Sequence, residues 1–228
     1  MAREPVDLEL LLALDSSSSV SHFEFALQQR GLAAAFRDPA IHRAIEGLGD
    51  GGMVLAVVQW AGEGAQRDAF GWLRLRTAAD ALAAADRLEA IPRALRGFTD
   101  IAGALRYSTG QIEGNAYAGA RKVIDISGDG TADGEPPDRA RDAAIAAGIV
   151  VNGLVVHTNE YDLGDLAAID LFQHYETQVT GGPASFVMEA ADYRDFVRAI
   201  RLKLLREISG TTFAGAASAP FAERPVNR

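Results

Sequence analysis

The sequence of 228 residues contains no cysteine. That excludes disulfides, a thiolate nucleophile and a zinc–thiolate site, and it leaves the redox compartment undetermined. Positive charge is not in excess either: the formal net charge is −9. Nucleic acid and anionic membrane surfaces both need a basic face, so neither is the expected partner, and a cation is the better match. No run reaches the roughly 18 apolar residues of a membrane span. No secretory leader is visible, because the only early apolar run follows Glu4, Asp7 and Glu9 and has the form of a first strand. If Met1 is the natural start, a cytoplasmic protein is expected. If Met1 and Ala2 were added to a processed chain, the expectation becomes periplasmic or secreted. The Gly-x-Ser-x-Gly nucleophile elbow and the phosphate-binding glycine loop with lysine are both missing.

What is present is ordinary globular usage, 48% hydrophobic and 23% charged, over a length that suits one α/β domain with its own core. Leu8 to Ser19, LELLLALDSSSS, is an apolar run that stops at Asp15 and is followed by hydroxyls at Ser17 and Ser19. Continuous apolar runs read as buried strands of a parallel sheet. Further strands are expected at Met53–Trp60, Arg121–Ser127, Ile149–Val156 and, briefly, Ser185–Met188. Asp68–Leu75 alternates and pairs with the second strand as a hairpin. Helices are expected at Val20–Phe36, with Ser19 or Ser21 as cap, and at Ala40–Ile45. A capping box, Thr77-x-x-Asp80, opens another, running to about Ala90. Thr99-Asp100 opens one to about Ser108, and the rest cover Asp138–Ala147, Leu163–Tyr175 and Asp192–Ile208. From Gly210 the chain reads as a loose tail. Strands alternating with helices imply an α/β fold, a mainly parallel sheet with one antiparallel hairpin strand and helices on both faces.

In such sheets ligands bind outside the carboxyl ends of the strands. Asp15, Ser17 and Ser19 lie there, Thr99 sits in a loop before a helix, and Asp129 follows the RKVIDIS strand. Carboxylates and hydroxyls are hard oxygen donors, suited to Mg²⁺, Mn²⁺ or Ca²⁺. Taken singly, each also has a bland role: a serine or threonine before a helix is a cap, and an aspartate in a glycine-rich loop is a turn residue. Two stretches, Asp125-x-Ser127-x-Asp129 and Asp129-x-Thr131-x-Asp133, begin like calcium-binding EF-hand loops. Both lack the glutamate at the twelfth position, where Pro136 and Ala140 stand. His22, His42, His157 and His174 are scattered, and Trp60 and Trp72 are expected to pack within the hairpin sheet.

Asp15-x-Ser17-x-Ser19, Thr99 and Asp129, in this order, resemble the metal-ion-dependent adhesion site (MIDAS) of the von Willebrand factor A (vWA) domain family. The stretches EPVDLELLLALD, EFALQQRG, VQWAG, VIDISGDG, AAGIVVNGL and GGPASFV are similar to a bacterial DUF1194-type subfamily of A-like domains. One departure is Ser18, where the family often has glycine. The resemblance implies a Rossmann-like vWA fold over residues 6–209, with 210–228 as a flexible tail. It implies Mg²⁺, or Mn²⁺ or Ca²⁺, held by Asp15, Ser17, Ser19, Thr99 and Asp129, directly or through water. It also implies a protein partner that presents a Glu or Asp to the metal, against a rim that includes Ser16, Ser18, Asp100 and Asp133. The runner-up reading is a metal-dependent hydrolase or phosphatase using the same cation, with Asp100, Asp133 and His157 as the nearest candidate bases. A third is an A domain serving as scaffold only.

Overall fold

The computed structural model describes residues 2–157 and 170–210. Its first strand, β1 (Glu4–Asp15), is buried almost throughout. It pairs in parallel with β2 (Met53–Trp60) on one side and with β4 (Tyr117–Gly128) on the other. Beyond β2 lies β3 (Gln66–Leu75), the antiparallel hairpin strand. Beyond β4 lie β5 (Val150–Val156) and β6 (Val187–Ala190), both parallel. The order is β3-β2-β1-β4-β5-β6. The chain leaves β1 toward β2 and later returns to its other side as β4. The crevice of this α/β sheet therefore opens above the ends of β1 and β4.

Helices cover both faces. Residues from α1 (His22–Phe36), α2 (Pro39–Glu46), α3 (Ala78–Glu89) and α7 (Phe196–Ser209) share one core with Leu8, Leu10, Leu12 and Leu14 of β1. Residues from α4 (Ile101–Gly114), α5 (Asp138–Ala146) and the turn after α6 (Leu171–His174) share the other with Leu11 and Ala13. The alternation along β1 is the period of two of a strand with both faces covered. No helix of the described residues is long and apolar enough to cross a membrane.

Local chemistry sets several boundaries. Ser21, not Ser19, caps α1, with Glu24 completing the capping box. The Thr77/Asp80 box opens α3 as expected. β4 begins four residues before the apolar run: the buried Glu9 accepts from Gly119 N and Asn115 Nδ2, and Asn115 Oδ1 accepts from Tyr117 N. α4 runs beyond Ser108 to Gly114. α7 starts at Phe196, not Asp192, because the Asp192 carboxylate accepts from the amides of Arg194 and Asp195 and forms a turn there. The helix expected at Leu163–Tyr175 falls partly outside the described residues. Its visible end is α6, followed by a wide helical turn through Val179. The tail from 211 onward lies outside them entirely.

One buried charge network fastens α7 to the sheet. Lys203 Nζ lies 2.7 Å from Asp125 Oδ1 on β4 and 2.7 Å from Glu207 Oε1 on its own helix. Asn152 Nδ2 of β5 also donates to Glu207 Oε1, at 2.9 Å. All four residues are buried. Asp125 is thus a strand residue paired to a helix, which removes it from the EF-hand-like reading.

Candidate metal site

Asp15 ends β1 and Gly128 ends β4, so the two loops that follow emerge side by side. The hydroxyls form a chain across the gap. Ser17 N donates to Asp15 Oδ1 at 2.7 Å, and Ser17 Oγ lies 3.0 Å from Ser19 Oγ. Ser19 Oγ in turn donates to Asp129 Oδ1 at 2.7 Å. Because Ser21 caps α1, Ser19 is free for this role. On its other oxygen Asp129 accepts from Tyr193 Oη at 3.0 Å.

Thr99 reaches the same place from the third loop. A Cβ built on Gly130 would stand 3.8 Å from Thr99 Oγ1 and 3.9 Å from its methyl, so the Thr99 side chain packs beside the Asp129 loop. The two loops are latched by Thr99 N donating to Asp133 Oδ2 at 3.1 Å and Asp133 N donating to Thr99 O at 2.8 Å. The Asp15 loop is tied to the segment before Thr99 by Ser18 N donating to Gly97 O at 2.8 Å. Arg93 braces it with bonds to the carbonyls of Ser16 and Ser17. Gly97 has φ +148°, and its Cα nears Gly62 N, which a side chain would crowd at 3.1 Å. At Gly128 a Cβ would fall 2.4 Å from Tyr175 Oη and 3.2 Å from Asp15 Oδ2. Glycine in the Ser127-Gly128-Asp129 run is therefore a requirement of space.

The electrostatics are those of a site short of positive charge. Burial, then the nearby Asp129 charge, pushes Asp15 up to about 7. Burial raises Asp129 as well, opposed by the Ser19 and Tyr193 hydrogen bonds. Among the described residues neither carboxylate has an ion pair with Lys or Arg, and Asp15 Oδ2 is buried without a hydrogen-bond partner. Buried charges are normally paired or bound to a metal. Two carboxylates, one with an orphaned oxygen, and three hydroxyls are the donor set of a hard divalent cation. Among the described residues no group of three or more His, Asp or Glu is placed to hold a metal ion, which leaves this mixed carboxylate–hydroxyl set as the candidate.

The rim differs in detail from expectation. Ser18 and Asp133 are exposed. Ser16 is not on the rim: it is fully buried and its hydroxyl donates to Gln59 Oε1 at 3.0 Å, so it belongs to the floor. Asp100 is mostly buried and caps α4 by accepting from Gly103 N at 2.7 Å. Beside Thr99 a cleft of about 360 Å³ is lined by Glu63, Phe98, Asp100, Arg106, Asp133 and Glu135. His157 pairs with Glu189 at 2.9 Å, His42 bonds the Phe36 carbonyl, and His22 contacts Arg96. Trp60 of β2 is buried in the core on the α4 and α5 side, and Trp72 of β3 is half-buried against it. Sequence reasoning missed Arg93, Tyr175 and Tyr193, which come from distant loops and carry no local motif.

The family model that matches residues 5–212 is described as a protein of unknown function, DUF1194. The chain belongs to this family. No curated protein matches it. Its fold is that of the vWA domains, as the solved structures similar to it also show. Proximal thread matrix protein 1 from the mussel byssus, with a zinc-occupied MIDAS motif, aligns at TM-score 0.67 and 15% identity over 92% of this chain and 50% of that one. The pilus adhesin SpaC from Lactobacillus rhamnosus GG, in an open conformation, aligns at 0.61 and 15% identity over 90% and 30%. An aerotolerance-related membrane protein from Bacteroides fragilis, with multiple mutations to serines, aligns at 0.58 and 15% identity over 90% and 100%. This member of the DUF1194 family therefore spans about half the length of the matrix-protein chain and under a third of the adhesin.

Proposed function

We propose that residues 6–209 form a divalent-cation-dependent protein-binding module. Asp15, Ser17, Ser19, Thr99 and Asp129 hold Mg²⁺, with Mn²⁺ and Ca²⁺ as substitutes, and a Glu or Asp of a partner protein completes the coordination. The observation that carries this is Asp15 Oδ2, a buried carboxylate oxygen near a second carboxylate, with neither a hydrogen-bond partner nor a counter-charge among the described residues. A bound divalent cation supplies an electrophilic centre with exchangeable positions, because Mg²⁺ readily keeps waters in its shell. The residues do the rest. Asp15 contributes direct charge, the three hydroxyls offer neutral oxygens, and Asp129 orients Ser19. Ser18 and Asp133, exposed above the site, form the rim a partner meets. The adhesin and matrix neighbours are in keeping with binding rather than catalysis. The candidate bases of a hydrolase have other partners: Asp100 caps a helix, Asp133 accepts from Thr99 N, and His157 pairs with Glu189.

Mg²⁺ or Mn²⁺ is expected to raise the melting temperature, since a ligand bound only by the folded state stabilises it by mass action, by about 2.7 kcal/mol at a hundred times the dissociation constant. Calorimetry and thermal shift with each divalent ion check this; no response to any of them rejects the metal reading. The partner mechanism is tested by affinity for a captured partner in Mg²⁺ and in chelator, with wild type and Thr99→Ala. Release by chelator and weaker binding by Thr99→Ala are expected. Binding indifferent to both removes the mechanism even where a metal binds.

A further inference from the structure

We propose that Tyr193 is a positioning residue of the metal site, acting through Asp129. The inference rests on the metal reading above. Tyr193 lies in the turn ahead of α7 and is 4% exposed, with its ring in the core shared by α1, α7 and β1. Its hydroxyl leaves that core and donates to Asp129 Oδ2 at 3.0 Å. Ser19 Oγ donates to the opposite oxygen, Oδ1, at 2.7 Å. The carboxylate is thus gripped at both ends by hydroxyls from two loops 174 residues apart, as the numbers 19 and 193 give.

Nothing beside Asp129 in the chain can do this. Its neighbours are Gly128 and Gly130, which have no side chains to wedge the carboxylate in place. Free rotation would turn Oδ1 away from Ser19 and break the hydroxyl chain that ends at Ser17. The Tyr193 ring alone satisfies the packing. The hydroxyl serves the carboxylate, donating to its Oδ2 at 3.0 Å. Tyr175, the other buried phenol at the site, has no hydrogen-bond partner among the described residues. Groups that bond a metal's ligands fix their orientation, and their loss typically weakens metal affinity by roughly 10–100-fold.

The test is calorimetric titration of the full chain with Mn²⁺, comparing wild type, Tyr193→Phe and Phe196→Leu. Tyr193→Phe keeps the ring and deletes the bond. Phe196→Leu disturbs the same core and touches neither carboxylate, so it measures what loss of packing alone does to affinity. The expected result is a dissociation constant raised roughly 10–100-fold in Tyr193→Phe and within about twofold of wild type in Phe196→Leu. Equal affinity of wild type and Tyr193→Phe overturns the inference and leaves the metal reading standing. So does an equal loss in both variants, which makes the effect one of packing. No Mn²⁺ binding by the wild type overturns the metal reading and the inference with it. If Tyr193→Phe does not fold, Tyr193→Met in the same titration decides: it also lacks the hydroxyl that reaches Asp129 Oδ2, and affinity unchanged from wild type overturns the inference.

Discussion

Lys203→Met is expected to lower folding stability by about 3–5 kcal/mol, the usual consequence of removing one partner from a buried ion pair. Methionine keeps the length and the apolar stem. What disappears is the ammonium that bridges Asp125 and Glu207, both buried. Two carboxylates then face each other without a counter-charge. Urea unfolding measures the loss, and a change under about 1 kcal/mol would mean that water enters the cluster. Replacing all three at once with apolar residues of similar volume should recover most of the loss, because buried ion networks are often no more stable than well-packed hydrophobic substitutes. The pH dependence has a definite sign. Burial, then the charge of Asp125, raises Glu207 to about 8 from an ordinary 4.5. The unfolded chain releases this proton near its ordinary value, and the folded chain holds it longer. Between about pH 4.5 and 8 the folded state binds more protons, so this group's contribution to stability falls as pH rises. The fall should extend to higher pH in Lys203→Met, where the opposing cation is gone.

Asp15→Asn is expected to abolish metal binding while leaving the metal-free protein as stable as wild type, or more so, at pH 8. Asp15 is held up to about 7 from 3.8 by burial and then by Asp129. Its ionisation therefore opposes folding across that interval, with stability lost as pH rises from about 3.8 to 7. Asparagine keeps an acceptor for Ser17 N and removes the charge. Chemical unfolding at pH 5 and pH 8, with calorimetric titration of Mn²⁺, separates the two effects. A large stability loss at both pH values would mark Asp15 as a hydrogen-bonding strand end and no metal ligand.

The sequence carried the fold where its signals are local. The apolar run of β1, the Thr77/Asp80 box and the hairpin need only neighbours along the chain. Asp15, Ser17, Ser19, Thr99 and Asp129 were legible because each sits at the end of a strand or before a helix, where spacing and order carry information. Ser16 and Asp100 were misplaced for one reason: a loop residue was taken as exposed, whereas both turn inward to satisfy Gln59 and the α4 amides. Tyr193 was invisible because its bond spans 64 residues. Lys203 and Glu207 were legible in principle. With Phe196, Ala199, Ile200, Leu204 and Ile208 they fall on the buried stripe of α7 at helical spacing. A charge on such a stripe signals a buried partner, and only the fold says that it is Asp125.

The Ser19–Asp129 bond closes across 110 residues, and β1 must lie beside β4 before it can form. Long-range closures of this kind are entropically demanding and come after local structure. The three loops meet only when the central sheet has already paired. On the proposed metal reading, a cation therefore finds its donors only in a chain that is nearly native, and has no assembled site in the unfolded chain. Its effect is expected on the unfolding rate, because interactions absent from the transition state slow unfolding and leave folding unchanged. In kinetic terms such an ion would work as a latch on the finished domain, lengthening its lifetime without shortening the path to it.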